Sequence, residues 1–294
     1  MFFRQGATAP VVTAPENSST VITSTGGTST TGSTVFVINS SNQLYRHDNT
    51  GWNFVGGGIG SASAVTESPG GASRVVVFVI TTGAQLYRFD TTRGWTLLGS
   101  NDVGPPSAGT DSQNNADVYV LSSTVFYEWT VANGWQAIGG AGSIKTWSAT
   151  TNNTVAVTTS AGAVEFFNGS WNLLTSNGFS NSISAVREPA GNLVVFAIQT
   201  GGNSSLEKWE LNLGWIVEGN YDSNPSAGLD TSNLADVFVT SGGNLYVFDK
   251  VSGWSQLGSA DMYYSAVTNG AVFVVTSGLA VCEYSPAFGW QPVI

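Results

Sequence analysis

A Gly-Trp pair that recurs about every 40 residues is the feature that most constrains the fold of this chain. A glycine precedes each recurring tryptophan except Trp171, and the set is Trp52, Trp95, Trp135, Trp171, Trp215, Trp254 and Trp290. The spacings between neighbours run 43, 40, 36 and then 44, 39, 36. Self-similarity at this period is typical of repeat architectures, so it must be explained before any single residue is interpreted.

A second repeat of 119 residues overlies the first. The run "PSAGTDSQNNADVYV" (106–120) returns as "PSAGLDTSNLADVFV" (225–239). We interpret this as the duplication of a three-unit block, with one further unit before it.

Each unit contains four strand-like runs separated by turn residues. The first is built of small residues ("SAV", "SAG"), the second is almost continuously apolar ("VVVFVI"), the third is mixed ("QLYRFD"), and the fourth is the Gly-Trp run ("GWTLLG"). Seven such units predict an all-β fold, a single seven-bladed β-propeller with four antiparallel strands per blade. We assign residues 19–294 to the propeller, with units ending near 57, 100, 140, 175, 219, 259 and 294, and residues 1–18 to an N-terminal extension or closing strand.

The repeated tryptophans are predicted to pack between adjacent blades, because a propeller needs a large side chain there. A second aromatic slot, in the third run, is also interpreted as packing; it holds His47, Phe89, Trp129, Phe167, Trp209, Phe248 and Tyr284. Two residues of this run, Arg46 and Arg88, share a further slot that varies between units, and we predict a surface position for it. How blade 1 meets blade 7 stays open, and residues 2–13 are either a decayed strand, a tether or part of a longer repeat array.

Composition excludes several classes of partner. The net charge is −10 with only nine Lys and Arg, so no basic stripe is available for nucleic acid or for an anionic membrane surface. The longest apolar run, "VVVFVI", is too short to insert into a bilayer. Cys282 is the single cysteine, which excludes an intramolecular disulfide and a cysteine zinc site. No signal peptide is visible, and we expect an extracellular or surface-associated protein.

The "LYRFDTTRGWTLLG" and "SAGTDSQNNADV" runs resemble the tectonin and tachylectin-like propellers over nearly the whole chain. This resemblance implies a lectin-like repeat protein, with sites between blades in some members and adhesion or assembly roles in others. Our leading hypothesis is therefore a non-catalytic carbohydrate-binding or adhesion propeller whose partners are glycans or glycoconjugates. The alternative is a structural or assembly protein that contacts protein subunits in a surface layer, filament or virus particle. Which sugar would bind, and the oligomeric state, stay open.

Candidate ligand-binding residues are aromatic residues outside the packing slots. Trp147 and Tyr264 precede a small-residue run in a slot that varies between units, while Tyr221 and Tyr263 lie in or beside blade connections. Connections of this kind line one end of a propeller. We predict these four residues as sugar platforms, although exposed Tyr and Trp equally suit a protein contact.

The loops Asp111–Asp117 and Asp230–Asp236 offer several oxygens each, as calcium requires. Asp and Asn are also ordinary hairpin-turn residues, and we favour that interpretation. No metal and no cofactor is predicted, and calcium binding by these loops stays open.

No catalytic residue is predicted. The "DTTRGW" type of run loosely resembles the Asp boxes of sialidase propellers, but the six arginines are scattered. The single histidine occupies a packing slot, which excludes a Ser-His-Asp triad. A paired-carboxylate glycosidase is the third alternative, because spatial pairing is not visible in a sequence.

Overall fold

The structure is a computed structural model that describes residues 18–25, 34–48, 50–100, 102–139, 144–175, 178–200, 204–220, 223–259, 261–266, 270–276 and 280–293. Within these ranges the chain forms 28 β-strands in seven blades of four consecutive antiparallel strands. The predicted seven-bladed propeller is confirmed. The described residues contain no α-helix, only a short 3-10 turn at Pro69–Gly71. No helix in this part of the chain has the length and apolarity to cross a bilayer.

The first, innermost strands of the seven blades are β1 (Ser18–Thr25), β5 (Ile59–Glu67), β9 (Asp102–Thr110), β13 (Ile144–Ala149), β17 (Phe179–Arg187), β21 (Ser226–Leu229) and β25 (Asp261–Ala266). The second strands are β2 (Val35–Asn39), β6 (Arg74–Thr81), β10 (Ala116–Ser122), β14 (Val155–Thr159), β18 (Leu193–Gln199), β22 (Ala235–Ser241) and β26 (Val272–Thr276). The second strands carry most of the buried apolar residues, because each blade is covered on both faces by its neighbours.

The third strands are β3 (Gln43–Asp48), β7 (Gln85–Asp90), β11 (Val125–Thr130), β15 (Val164–Phe167), β19 (Ser205–Glu210), β23 (Asn244–Asp249) and β27 (Val281–Ser285). The outermost strands are β4 (Gly51–Gly57), β8 (Gly94–Ser100), β12 (Gly134–Ala137), β16 (Trp171–Thr175), β20 (Gly214–Gly219), β24 (Gly253–Ser259) and β28 (Gly289–Pro292). In every blade the aromatic slot of the third strand lies opposite the repeated tryptophan, for example Phe89 opposite Trp95, which confirms it as a packing position.

The repeated Ser-Ala pair of the innermost strands joins neighbouring blades. In five junctions the serine Oγ accepts a hydrogen bond of 2.8–3.0 Å from the alanine N–H of the next blade. The accepting residues are Ser63, Ser107, Ser148, Ser184 and Ser226. Serine is therefore selected here for an inter-blade hydrogen bond as well as for its small size.

The repeated tryptophans bridge blades as predicted. In five blades the indole Nε1 donates to a backbone carbonyl at the outer strand of the preceding blade, over 2.7–3.2 Å. The donors are Trp95, Trp135, Trp171, Trp254 and Trp290.

The ring closes by packing of blade 1 on blade 7. Val35 and Val37 of β2 share a buried cluster with Phe273 and Val275 of β26, and Trp52 covers it. In the described part of the chain, blade 1 supplies all four of its own strands, and no strand is exchanged with blade 7. Residues 2–13 lie outside the described residues.

The prediction of a surface position for the Arg46 and Arg88 slot is wrong. Arg88 is 5% exposed, and Glu128 and Lys208 in the same slot are buried as well. The variation between charged and apolar residues in this slot misled the prediction, because a buried position usually keeps one residue type.

Candidate functional site

The two ends of the propeller carry different loops. In an antiparallel blade, the turn between the first and second strands lies at the same end as the turn between the third and fourth. We call this the turn end; it includes residues 111–115, 230–234 and 250–252. The turns between second and third strands lie at the other end with the blade-to-blade connections. We call this the connection end; it includes residues 160–162, 178 and 200.

A cleft of about 380 Å³ opens at the connection end between blades 4 and 5. This volume falls in the range of small-molecule sites. The lining is mostly polar or backbone, and it consists of Lys145, Ser160, Ala161, Gly162, Gly178, Phe179 and Thr200. Lys145, Ser160, Ala161 and Thr200 are exposed, so the cleft is reached from solvent.

Two glycines make one wall of the cleft from backbone alone. Gly162 and Gly178 have φ of 78° and 96°, a region that favours glycine. A Cβ on Gly162 would come within 3.1 Å of the Gly178 nitrogen and the Phe179 oxygen. Phe179 N–H donates to the Gly162 carbonyl at 3.1 Å, and Thr200 N–H donates to the Gly178 carbonyl at 2.7 Å. The wall is thus fixed before any ligand arrives.

The floor of the cleft is aromatic. Phe179 is buried and packs against Trp215 in a tilted arrangement, with ring centroids 4.4 Å apart and an interplanar angle of 33°. No hydrogen bond from the Trp215 Nε1 is found among the described residues, unlike five of the repeated tryptophans. The Trp52 Nε1 has no such bond in the described part of the chain either, so blades 1 and 5 both depart from the repeated pattern in this respect.

Trp147 lies at a different junction. It is half-buried on β13 and packs edge-on against Phe126 of blade 3, with ring centroids 5.4 Å apart. A Cβ on Gly104 would lie 2.7 Å from its ring, so the indole fills the space that this glycine leaves. Its role as a sugar platform stays a prediction. Phe126 and Gly104 already cover part of the ring that would contact the sugar.

Tyr264 lies between blades 6 and 7, three junctions from Trp147. Its side chain is half-buried, and its hydroxyl is 2.8 Å from the Ser223 hydroxyl and donates to the Asn224 carbonyl. Tyr263 belongs to β25 but its side chain is not described, and Tyr221 lies outside the described residues. The predicted residues that are described are therefore not brought into one site.

The cleft itself was missed by sequence reasoning. Its only sequence signal is the pair of glycines in "SAGA" and "SNGF", 16 residues apart, in a chain with 36 glycines. A lysine two residues before Trp147 gives no further indication.

The Asp-rich loops form hairpin turns, as we favoured. The Asp111 Oδ1 accepts the backbone N–H groups of Gln113 and Asn115, both at 2.8 Å. The Asp230 Oδ1 accepts those of Ser232 at 2.7 Å and Leu234 at 2.8 Å.

The second aspartates of these loops are different, because Asp117 and Asp236 are buried. Neither oxygen of Asp117 has a described donor in good hydrogen-bonding geometry, although the nearby backbone N–H groups of Gly109 and of Asp117 itself partly offset the effect of burial on its pKa. Burial, followed by the charges of Glu128 and Asp111, raises the pKa of Asp117 well above its ordinary value of 3.8. Burial, followed by the charges of Asp230 and Asp249, raises the pKa of Asp236 to about 8.

Asp117→Asn is expected to raise the free energy of unfolding at pH 8 by at least about 1–3 kcal/mol, the cost of an unpaired buried polar group, which is larger when the group is charged. Because the folded-state pKa lies above the unfolded one, the folded chain holds this proton more tightly. The contribution of Asp117 to the free energy of unfolding is therefore fully present below about pH 4, and it is lost as the pH rises towards the raised pKa of the folded state. Urea unfolding at pH 4 and pH 8 checks this, and the advantage of Asn should appear at pH 8 only.

Asp48→Asn is the control, because we expect it to change the stability in the opposite direction. Burial alone would raise the pKa of Asp48, but hydrogen bonds from Thr50 and the charge of Arg46 outweigh it and lower the pKa. This substitution should lower stability at pH 8 and lose its effect in acid. An equal response of both variants at both pH values would contradict the assignment for Asp117.

No protein-family model matches the chain, and no curated protein matches it in sequence. Among solved structures, Aleuria aurantia lectin in complex with Fucα1-6GlcNAc is similar, with 14% identity, coverage of 81% of this chain and 94% of that chain, and a TM-score of 0.56. A streptogramin B lyase is also similar, with 8% identity, coverage of 95% of each chain and a TM-score of 0.67. Virginiamycin B lyase from Staphylococcus aureus is 9% identical, with coverage of 92% of this chain and 96% of that chain and a TM-score of 0.66.

These likenesses show the fold. The lectin is described as a six-bladed propeller with fucose recognition, and the other two are enzymes. Binding and catalysis therefore both occur on propellers similar to this one, and function must be argued from the residues of this chain.

Proposed function

We propose that this chain is a non-catalytic carbohydrate-binding propeller that holds a glycan in the cleft between blades 4 and 5. The observation that carries the proposal is the cleft itself, with polar side chains in its lining and a backbone wall held by hydrogen bonds at a blade junction. Sugars present many hydroxyls, which need hydrogen-bonding partners at fixed positions. The Thr200 and Ser160 hydroxyls, the Lys145 ammonium and the backbone of the wall are of the right chemical types.

Lys145 restricts which chemical groups of a sugar can lie in one corner of the cleft. It is one of only three lysines in a chain of net charge −10. An ammonium donates hydrogen bonds and accepts none, so this corner of the cleft suits a ring oxygen, hydroxyl or carboxylate of the sugar. The fucose-binding lectins of similar fold support the class of ligand without specifying the sugar.

A glycan array with the purified chain, followed by titration of the best sugar, tests the proposal. Lys145→Ala removes the ammonium, and Ala161→Trp fills the cleft without removing a hydrogen bond. Each is expected to weaken binding at least about tenfold, the effect of 1.4 kcal/mol. Lys250→Ala is the matched control, because Lys250 lies at the turn end of blade 6, where its Nζ is 3.2 Å from Glu210.

Two results would count against the cleft. Saturable binding that both cleft variants leave unchanged would place the site elsewhere, and Trp147→Ala and Tyr264→Ala then become the next variants to compare. Absence of binding to any glycan by a folded, monodisperse sample would reject the carbohydrate-binding proposal.

A specific observation also favours the alternative of self-assembly. Four outermost strands expose an apolar side chain two residues after the repeated tryptophan, more than half accessible in each case: Phe54, Leu97, Leu173 and Val217. Outermost strands also leave one row of backbone groups unpaired, a template for pairing with another chain.

Under this alternative the partner is a second copy of the chain, joined edge to edge. Light scattering across a concentration series should show discrete oligomers, and Leu173→Lys with Val217→Lys should return them to monomer. A wild-type chain that stays monomeric throughout would reject self-assembly.

A further inference from the structure

The varying slot of the third strand holds a cation in three blades, partly exposed in blade 1 and buried in blades 2 and 5. In each, the cation pairs with the carboxylate two residues further along the same strand, over 2.8–3.1 Å. The pairs are Arg46 with Asp48, Arg88 with Asp90, and Lys208 with Glu210. A carboxylate at the turn end of these blades is thus neutralised by its own strand.

Blade 6 keeps the carboxylate and loses the cation. Asp249 stands where Asp90 stands in blade 2, but Val247 stands where Arg88 stands. Blade 6 then adds Asp230 from the end of β21 and Asp236 from the start of β22. One carboxylate oxygen from each of the three aspartates lies within 4.8 Å of the others.

The charge of this aspartate triad is not balanced by protein groups. No Lys, Arg or His in the described ranges forms an ion pair with any of the three residues. Lys250, the nearest lysine in sequence, lies within 3.7 Å of Glu188 and 3.2 Å of Glu210 instead. Three carboxylates this close without a cation repel one another strongly.

Asp236 supplies the second indication. It is 3% exposed, and its Oδ1 is buried without a hydrogen bond from any described residue. A buried carboxylate oxygen without a partner is costly, and a bound ion is one arrangement that would satisfy it. The other two members are held in place, since the Asp249 Oδ1 accepts N–H groups from Val251 at 2.8 Å and Ser252 at 2.6 Å, while Asp230 caps its own turn.

We propose that the aspartate triad of blade 6, Asp230, Asp236 and Asp249, binds one calcium ion in the place that Arg88 occupies in blade 2. The ligands are all oxygen and all acidic, which favours a hard divalent cation over zinc or copper. Calcium accepts carboxylates in irregular loop geometry, whereas magnesium demands a near-ideal octahedron. Asp249 is only half-buried, so the ion enters from the turn end.

Blade 3 is an internal control in the same chain. Asp111 and Asp117 repeat Asp230 and Asp236 at the 119-residue offset, but Thr130 replaces Asp249. Glu128 in the cation slot already accepts hydrogen bonds from Tyr119 at 2.9 Å and Asn153 at 2.8 Å. The aspartate triad of blade 6 is the only such group found among the described residues.

Calcium titration of the chelator-treated chain by calorimetry, with thermal unfolding in parallel, tests the site. We expect one calcium per chain and a rise in Tm with calcium concentration. Asp249→Asn keeps the oxygen that accepts the Val251 and Ser252 N–H groups, and should weaken binding at least about tenfold, or 1.4 kcal/mol. Asp111→Asn, at the blade 3 position that corresponds to Asp230, should leave the affinity within about twofold, or roughly 0.4 kcal/mol.

Val247→Arg gives an independent test by supplying the guanidinium of blade 2. It should abolish calcium binding while keeping, or raising, the Tm measured in chelator. Absence of heat and of a Tm shift up to about 10 mM calcium, ten times the weakest Kd of extracellular calcium modules, would overturn the site. Equal binding by wild type, Asp249→Asn and Val247→Arg would overturn it as well.

Discussion

Trp254→Ala should lower the free energy of unfolding by about 3–5 kcal/mol, as expected for a large-to-small change at a packed position. The Trp254 indole covers the buried cluster shared by β18 of blade 5 and β22 of blade 6. Its ring lies 5.2 Å from that of Phe248, and its Nε1 donates to the Glu218 carbonyl of blade 5 at 2.7 Å. Removal of the ring thus opens a cavity at a blade junction and leaves a carbonyl without its partner. Chemical denaturation, fitted to a two-state transition, measures the loss.

Trp254→Phe separates the two contributions. It keeps most of the apolar contact and removes the Nε1 donor, so we expect a loss of about 1 kcal/mol, the net value of one hydrogen bond. A loss below about 0.5 kcal/mol for Trp254→Ala, the range of ordinary surface changes, would mean that the repeated tryptophan does not hold the blades together.

Gly109→Ala should destabilise the chain by about 3 kcal/mol or more, beyond the usual cost of overpacking. A Cβ on Gly109 would lie 2.2 Å from the Thr150 carbonyl oxygen of blade 4 and 2.7 Å from the Asp117 carboxylate. The first neighbour is backbone and cannot rotate away, so blades 3 and 4 would have to separate. The same junction carries the Ala149 N–H hydrogen bond to the Ser107 Oγ, which that separation would lengthen.

Gly57→Ala is the matched control on the outermost strand β4, where a Cβ would meet no atom within 4 Å. Its effect should stay within about 0.5 kcal/mol, as for a surface change. Denaturation midpoints of the two variants, measured side by side, distinguish crowding at the axis from a general effect of alanine. Equal midpoints would show that the innermost strands can accommodate an additional methyl group without loss of stability.

The repeat determined the architecture without help from the structure. Seven tryptophan runs at about 40 residues, six of them Gly-Trp, each in a unit with a solid apolar strand, specify seven blades because each blade must be covered by two others. The same pattern assigned the repeated tryptophans and the aromatic slot to packing. Asp111 and Asp230 were also interpreted correctly as turn residues, since Asx turns depend on local backbone groups alone.

Tertiary structure decided the features that one blade or one junction does not share with the others. The cleft between blades 4 and 5 is walled by backbone at Gly162 and Gly178, and backbone atoms leave almost no signature in a sequence. The residue type in the cation slot varies between blades, so the sequence did not reveal its role. Arg88 and Lys208 pair with carboxylates there, whereas blade 6 has Val247 in the same slot. The aspartate triad joins Asp249 to a loop 13 residues earlier in the sequence, and only the antiparallel return of β23 to the turn end brings the three oxygens together. A repeat therefore reveals what its units share, whereas a site in this protein arises where one blade or one junction departs from the others.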